Sequence, residues 1–390
     1  MKLTAGQRRI ARAILEHPDD SLVALAKLAG LNPRSAFQGA DLRGIDLRSD
    51  DVSMFDFTGA DLRGANFQHA RGKEHAIFRD ARTDKATRGL PAPMDFDAEK
   101  LRGLLLAGKP VPISWIPFVT SIDLSSCSLR DFTPLADLCA LQSLNLMDTQ
   151  ISDLTPLSEL GALQWLNLAD TPVSDLAPLT SLNALQSLNL QNTLVGDLAP
   201  LTGLNALQTL NLQNTRVGDL APLARLISLR ELDLGITLII DLTPLTALTA
   251  LQVLNLQNTR VTEFEPLAGL NALRILNLSD TTIRNLAPLA RISELQTLTL
   301  RRTAVSALAP LAKIRALQSL DLLGTQVRDL APLTSLDALQ TLNLSNTKVS
   351  NLKPLVGLKG LQALDITGSL VRDISALRHL VKLRIIGMLT

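Results

Sequence analysis

The sequence has no tyrosine, and aromatic residues make up 3% of its 390 positions although 46% are hydrophobic. A globular core of that size ordinarily draws more of its volume from aromatic rings. Its two cysteines, Cys127 and Cys139, form no framework of spaced pairs. The N-terminus, MKLTAGQRRIARAILEHP, scatters charge through its apolar residues and lacks the apolar stretch and cleavage site of a signal peptide. A reducing, cytoplasmic setting is therefore expected. No run of 18 apolar residues exists, so no helix is expected to span a membrane. An excess of one charge is also missing. The formal net charge is +1; residues 1–90 carry 15 Lys+Arg against 12 Asp+Glu, and the other 300 carry 23 against 25. Neither part has the excess of a nucleic-acid binder.

The residue types of catalysis are similarly sparse. Gly72-Lys73 and Gly108-Lys109 lack the upstream glycine and the following Ser or Thr of a phosphate loop. His17, His69, His75 and His379 have no cysteine or carboxylate arrangement that makes a metal site. No catalytic residue, cofactor or metal is expected, and the chain is read as a non-enzyme.

What the chain has is repetition. LQSLNLQNTLVGDLAPLTGLNA (185–206) is followed at once by LQTLNLQNTRVGDLAPLARLIS, and the first leucine recurs every 22 residues from Leu141 to Leu383 without insertion or deletion. Val119 fills the same slot one period earlier. The first part of each unit alternates apolar and polar residues, the pattern of a short strand with one buried face. The second, DLAPL, starts a tight helical turn: Asp can accept unpaired N–H groups, and the proline sits in the first turn, where no intrahelical bond is lost. Proline at every turn predicts short 3₁₀ pieces. No single unit can bury its apolar residues, so stacking must make them one continuous core.

Two polar columns run through the array. The ninth position reads Cys127, Thr149, Thr171, Thr193, Thr215, Thr237, Thr259, Thr281, Thr303, Thr325, Thr347 and Ser369. These side chains are read as a structural ladder, pointing inward and bonding to neighbouring backbone where the chain turns. The fifth position is almost uniformly Asn or Asp, and its amides are expected to bond laterally from strand to strand.

These residues resemble a leucine-rich repeat, and the DLxPL turn at a 22-residue period is similar to the internalin-like class found in bacteria, with Thr where that class usually has Asn. The resemblance covers about residues 115–390. It implies a solenoid, a right-handed superhelix with a parallel β-sheet on the concave side and 3₁₀ or short helical turns on the convex side, binding a protein partner on the concave sheet. Residues 36–69 carry a shorter period, with Leu42, Leu47, Val52, Phe57, Leu62 and Phe67 five apart. The A(D/N)LxG units resemble the pentapeptide-repeat family, which implies a short square β-helix; the register slips near 70–75 and is expected to resume at AIFRD (76–80). The chain thus divides into an N-terminal helical segment (1–34), a pentapeptide-repeat-like β-helix (35–89), a linker and cap containing one helix (90–118), and the leucine-rich array (119–390). LVALAKLAGLNPRSAF (22–37) has the look of a helix-turn-helix, but the letters that would form a recognition helix already belong to the five-residue repeat.

Function is then expected on the outward strand positions, where departures from the consensus carry more information than the consensus does. Met147 and Trp165 stand on adjacent strands of a sheet otherwise lined with Gln, Ser and Asn. Arg230, Glu231, Ile236, Val253, Arg274 and Ile275 break the pattern mid-array, and Arg301, Arg302 and Leu323 break it again. Exposed Trp, Met and Arg are types that anchor interfaces. The expected function is a protein-interaction scaffold for a partner the sequence does not name. Two alternatives are an effector secreted without a classical signal peptide and acting on a host protein, and nucleic-acid or topoisomerase-directed binding by the pentapeptide segment. LVKLRIIGMLT (380–390) supplies one more strand, and self-association through that edge is a further expectation.

Overall fold

The computed structural model describes residues 37–48, 50–53, 55–78, 81–90, 97–109, 111–112 and 115–387. The helical segment expected over residues 1–34 lies outside them. Two compact units span residues 1–144 and 145–390.

In the first unit, residues 37–90 wind into a square coil. Parallel bridges join Asp41 to Asp61, Asp46 to Asn66 and Asp51 to Arg71, twenty residues apart, so four five-residue sides close one turn. The next bridges, Asp56 to Ile77 and Asp61 to Arg82, are one residue longer. A 3₁₀ turn over Lys73–His75 takes up the extra residue; the five-residue step returns from Ile77 to Arg82, and the Asn66 to Arg88 bridge is then longer by one more residue. Two residues of each five point inward: the bulky Leu42, Leu47, Val52, Phe57, Leu62 and Phe67, and between them Ala40, Phe55, Ala60, Ala65 and Ala70. Phe37, Phe55, Phe57, Phe67 and Phe78 pack ring against ring inside the coil, with centroids 5.0–5.9 Å apart. They are five of the nine phenylalanines in the chain, so much of its scarce aromatic volume is spent here.

Helix α1 (Ala98–Leu106) follows. The Asp97 carboxylate caps it, accepting the N–H groups of Glu99 and Lys100 at 2.9 and 3.2 Å. Leu101 and Leu105 bury one face, and the Arg102 guanidinium reaches the carbonyl of Asp123 at 3.1 Å. The array therefore starts already tied to the helix before it.

Thirteen three-residue strands follow: β1 (Ser121–Asp123), β2 (Ser143–Asn145), β3 (Trp165–Asn167), β4 (Ser187–Asn189), β5 (Thr209–Asn211), β6 (Glu231–Asp233), β7 (Val253–Asn255), β8 (Ile275–Asn277), β9 (Thr297–Thr299), β10 (Ser319–Asp321), β11 (Thr341–Asn343), β12 (Ala363–Asp365) and β13 (Arg384–Ile386). Those of the second unit, β3 to β13, lie in one sheet in chain order. From β3 to β12 each strand pairs in parallel with the next, 22 residues on, so equivalent positions form rows across the sheet. The last pairing departs from this period: Leu364 faces Ile385, 21 residues on. Leu383 keeps the 22-residue spacing, but one residue is lost between it and the next inward apolar side chain. The simple alternation of Leu383, Arg384, Ile385 and Ile386 replaces the LxxL step of the other repeats.

Within one repeat, Leu185, Leu188, Leu190, Val195, Leu198, Leu201 and Leu204 are all at most 1% exposed. Burying each such side chain contributes about 1.5–3 kcal/mol, available only because neighbouring coils cover both sides. The return path is a 3₁₀ turn in every repeat, with proline in its first turn up to Pro354. Asp131, Asp153, Asp175, Asp197, Asp219, Asp241, Asp329 and Asp373 each accept the N–H two residues further on at 2.8–2.9 Å. Each aspartate thereby satisfies a turn amide that proline geometry leaves open.

Candidate functional site on the exposed sheet face

Ten threonines, from Thr149 to Thr347, are buried at the ends of strands, and each hydroxyl donates at 2.6–2.9 Å to a carbonyl three residues back. The acceptor lies in the same repeat. Each threonine thus points inward and closes its own turn on neighbouring backbone, without linking repeat to repeat. The two end members, Cys127 and Ser369, are half-buried, and the Ser369 oxygen accepts a contact from the Val371 N–H at 3.4 Å.

The Asn/Asp column at position five bonds both within its own repeat and to the repeat before. Its side-chain oxygen accepts the N–H two residues on, as Asn189 does from Gln191 and Asn211 from Gln213. That bond needs only an acceptor, so Asp and Asn both serve, while the Asn amides also donate to the preceding repeat: Asn255 to Asp233 at 2.9 Å, Asn211 to Gln191 at 3.3 Å and Asn277 to Gln257 at 3.4 Å. Lateral amide bonds occur at position eight as well, where Asn192 donates to Asp170 at 2.7 Å and Asn214 to Asn192 at 2.8 Å. That position has φ between 51° and 59° in its non-glycine residues, a left-handed conformation that Asn and Asp tolerate best. Ile236 occupies it at φ 57° and interrupts the series.

With those columns assigned to structure, the outward face is left to positions three and seven and the rim. Trp165, Glu231 and Ile275 are exposed and Val253 is half-buried, all in the position-three row. Glu231 is register partner to Val253, and Val253 to Ile275. A shallow cleft of about 340 Å³ runs across β3 to β7 with Trp165 at one end, Glu231 and Asp233 inside and Val253 at the other end. Met147 is exposed but at position seven, four residues along the chain from that row, and it does not line the cleft. The Trp165–Met147 pairing read from adjacent strands therefore gives way to a Trp165–Glu231–Val253 grouping.

Arg230 and Arg274 stand exposed on the rim, one residue before the row. The remaining candidates are already engaged. Arg301 forks onto Asp321 at 2.7 Å, and Arg302 onto Asp280 at 2.6 and 2.7 Å. Such exposed pairs contribute about 0–1 kcal/mol each. Leu323 is half-buried, and its carbonyl accepts the Arg302 N–H at 2.7 Å.

Two features of the site lie outside the consensus departures on the strands. Leu238 and Ile240 are 46% and 62% exposed and continue the apolar run begun by Ile236 into the loop after β6. Asp233 is braced by the Gly235 N–H at 2.8 Å and by the Asn255 amide at 2.9 Å. A side chain at Gly235 would crowd that bridge, since its Cβ would stand 3.0 Å from the Asn255 amide nitrogen.

Elsewhere, Arg43, Arg48 and Arg63 on the pentapeptide coil each fold back onto the aspartate two residues earlier at 2.6–2.7 Å. Burial pushes the Cys139 thiol up, away from the reactive thiolate. Among the described residues, no group of three or more His, Cys, Asp or Glu side chains is placed to hold a metal ion, and no helix is long and apolar enough to cross a membrane.

Residues 162–203, 205–247, 249–291 and 337–379 match the family of Leucine Rich repeats (2 copies), and residues 51–71 match Pentapeptide repeats (8 copies). No curated protein matches the chain. Among solved structures, an internalin (InlF) from Listeria monocytogenes is 27% identical over 75% of this chain and 94% of its own, with a TM-score of 0.66. A leucine-rich-repeat protein of Leptospira interrogans is 20% identical over 88% of this chain and 96% of its own, with a TM-score of 0.65. The ectodomain of a membrane receptor kinase from Arabidopsis thaliana is 17% identical over 86% of this chain and 48% of its own, with a TM-score of 0.59. The last two share the fold alone.

Proposed function

Because the chain is a leucine-rich-repeat protein of the internalin-like class with a pentapeptide-repeat segment, we propose that it is a non-enzymatic scaffold whose exposed sheet face binds a protein partner around the β3–β7 cleft. One observation carries this reading. Trp165, Glu231, Val253 and Ile275, which depart from a consensus of small hydroxyl residues, fall on one row of the sheet and face outward. A scaffold of stacked coils holds that row rigid, so little side-chain and backbone entropy is lost when a partner docks. Large apolar side chains beside a charge on a rigid polar surface have the composition of an interface centre.

The test is capture from the native organism by the immobilised chain. Trp165→Ala should leave folding intact and reduce recovery of a specific partner several-fold. Unchanged recovery with this variant and with Glu231→Lys would place the binding face elsewhere.

A further inference from the structure

From the charge and spacing of the sheet-face cleft we infer the chemistry of its occupant: an extended segment of a partner protein that lies across the strands and presents an apolar side chain, a basic side chain four residues on, and a second apolar side chain two residues after that. This rests on the sheet-face reading above and adds the identity of the ligand class.

The basic residue follows from repeat six. Glu231 and Asp233 stand two apart on one strand and share its outward face. Among the described residues neither forms an ion pair. Asp233 is held in place, its Oδ1 accepting the Gly235 N–H and both its oxygens accepting the Asn255 amide at 2.9 and 3.1 Å. Glu231 is exposed above it. The same repeat has Gly235 at position seven, where its two neighbours have Gln213 and Gln257, and only a residue without a side chain leaves the Asn255 amide uncrowded against Asp233. Three substitutions in one repeat thus build a fixed negative centre between apolar side chains. Arg230 and Arg274 keep to the rim, so the basic residue belongs at the level of positions three and five.

The spacing follows from sheet geometry. Strands lie about 4.8 Å apart, so Trp165 on β3 and Glu231 on β6 are about 14 Å apart, and Val253 and Ile275 lie about 5 and 10 Å beyond Glu231. An extended chain advances about 3.3–3.4 Å per residue, so four residues span about 13.5 Å and two span about 6.7 Å, landing between Val253 and Ile275. Between Trp165 and Glu231 the floor is low: Thr209 donates to the Ser187 hydroxyl at 2.6 Å, and the two small side chains satisfy each other. A lysine or arginine seated beyond that floor, over β6, can lay its stem on Val253 and place its charge on Glu231.

The test is selection of displayed random twelve-residue peptides on the full chain. Enriched peptides should share the apolar, basic, apolar pattern at these spacings and lose at least ten-fold in affinity to Trp165→Ala and to Glu231→Gln. Glu231→Lys should turn the central preference from Lys or Arg to Asp or Glu. Unchanged thermal melting should accompany each variant. Peptides that need Trp165 but carry no basic residue, or ignore Glu231→Lys, would overturn the inference and leave the sheet-face function standing. Peptides insensitive to every sheet-face variant would overturn both, and absence of any enriched pattern would overturn the inference.

Discussion

The buried hydroxyl of Thr215 donates to the carbonyl of Leu212, three residues earlier in its own coil, at 2.7 Å. That carbonyl ends a strand and turns away from the ladder, so no backbone donor of the regular sheet serves it. Thr215→Val keeps the shape and removes the donor, stranding a buried acceptor at a cost of about 1–3 kcal/mol. Thr215→Ser, which keeps the donor, should recover most of that. Chemical denaturation measures both, and an unchanged midpoint for the valine variant would refute the role given to the column.

Ile236 carries the opposite expectation. A β-branched residue at φ 57° pays a steric penalty of about 1–2 kcal/mol that Asn largely avoids. Ile236→Asn should therefore stabilise the protein and restore the lateral amide series between Asn214 and Asn258. A raised melting temperature is expected. A lowered one would mean that the isoleucine makes contacts worth more than its strain.

Acid should weaken the pentapeptide coil through Asp61. The Arg63 guanidinium hydrogen-bonded to it, working against partial burial, lowers its carboxyl from 3.8 to about 2. A depressed folded-state value means stability that is present above the unfolded value, near pH 4, and lost as pH falls towards 2. Asp61→Asn should flatten the pH dependence of unfolding between those limits relative to the parent protein. The effect is small because Arg63 is half-exposed. Parallel pH profiles for the two proteins would contradict the assignment.

Much of the architecture is legible in the letters because leucine spacing reports burial directly. A side chain every 22 residues that must face the same core leaves no freedom of register until Ile385, where one residue drops out. The polar columns are less legible. Positions five, eight and nine all carry Asn, Asp or Thr, and which of them bonds within a repeat and which between repeats depends on the left-handed turn at position eight. That turn points the position-eight amides of Asn192 and Asn214 along the row and directs the hydroxyls inward. The site was half legible. The consensus departures at Trp165, Glu231, Val253 and Ile275 mark it, but adjacency of strands suggested Met147 as the partner of Trp165. Rows, not neighbouring repeats, decide which side chains share a cleft. Arg301 and Arg302 looked available because their aspartate partners lie 20 and 22 residues away in sequence.

The most direct test of a binding sheet is hydrogen exchange on the chain with and without its captured partner. Protection concentrated on β3 to β8, with the 3₁₀ side unchanged, is the expected result. Protection on the 3₁₀ side, with the amides around Trp165 and Glu231 exchanging as in the free protein, would contradict it.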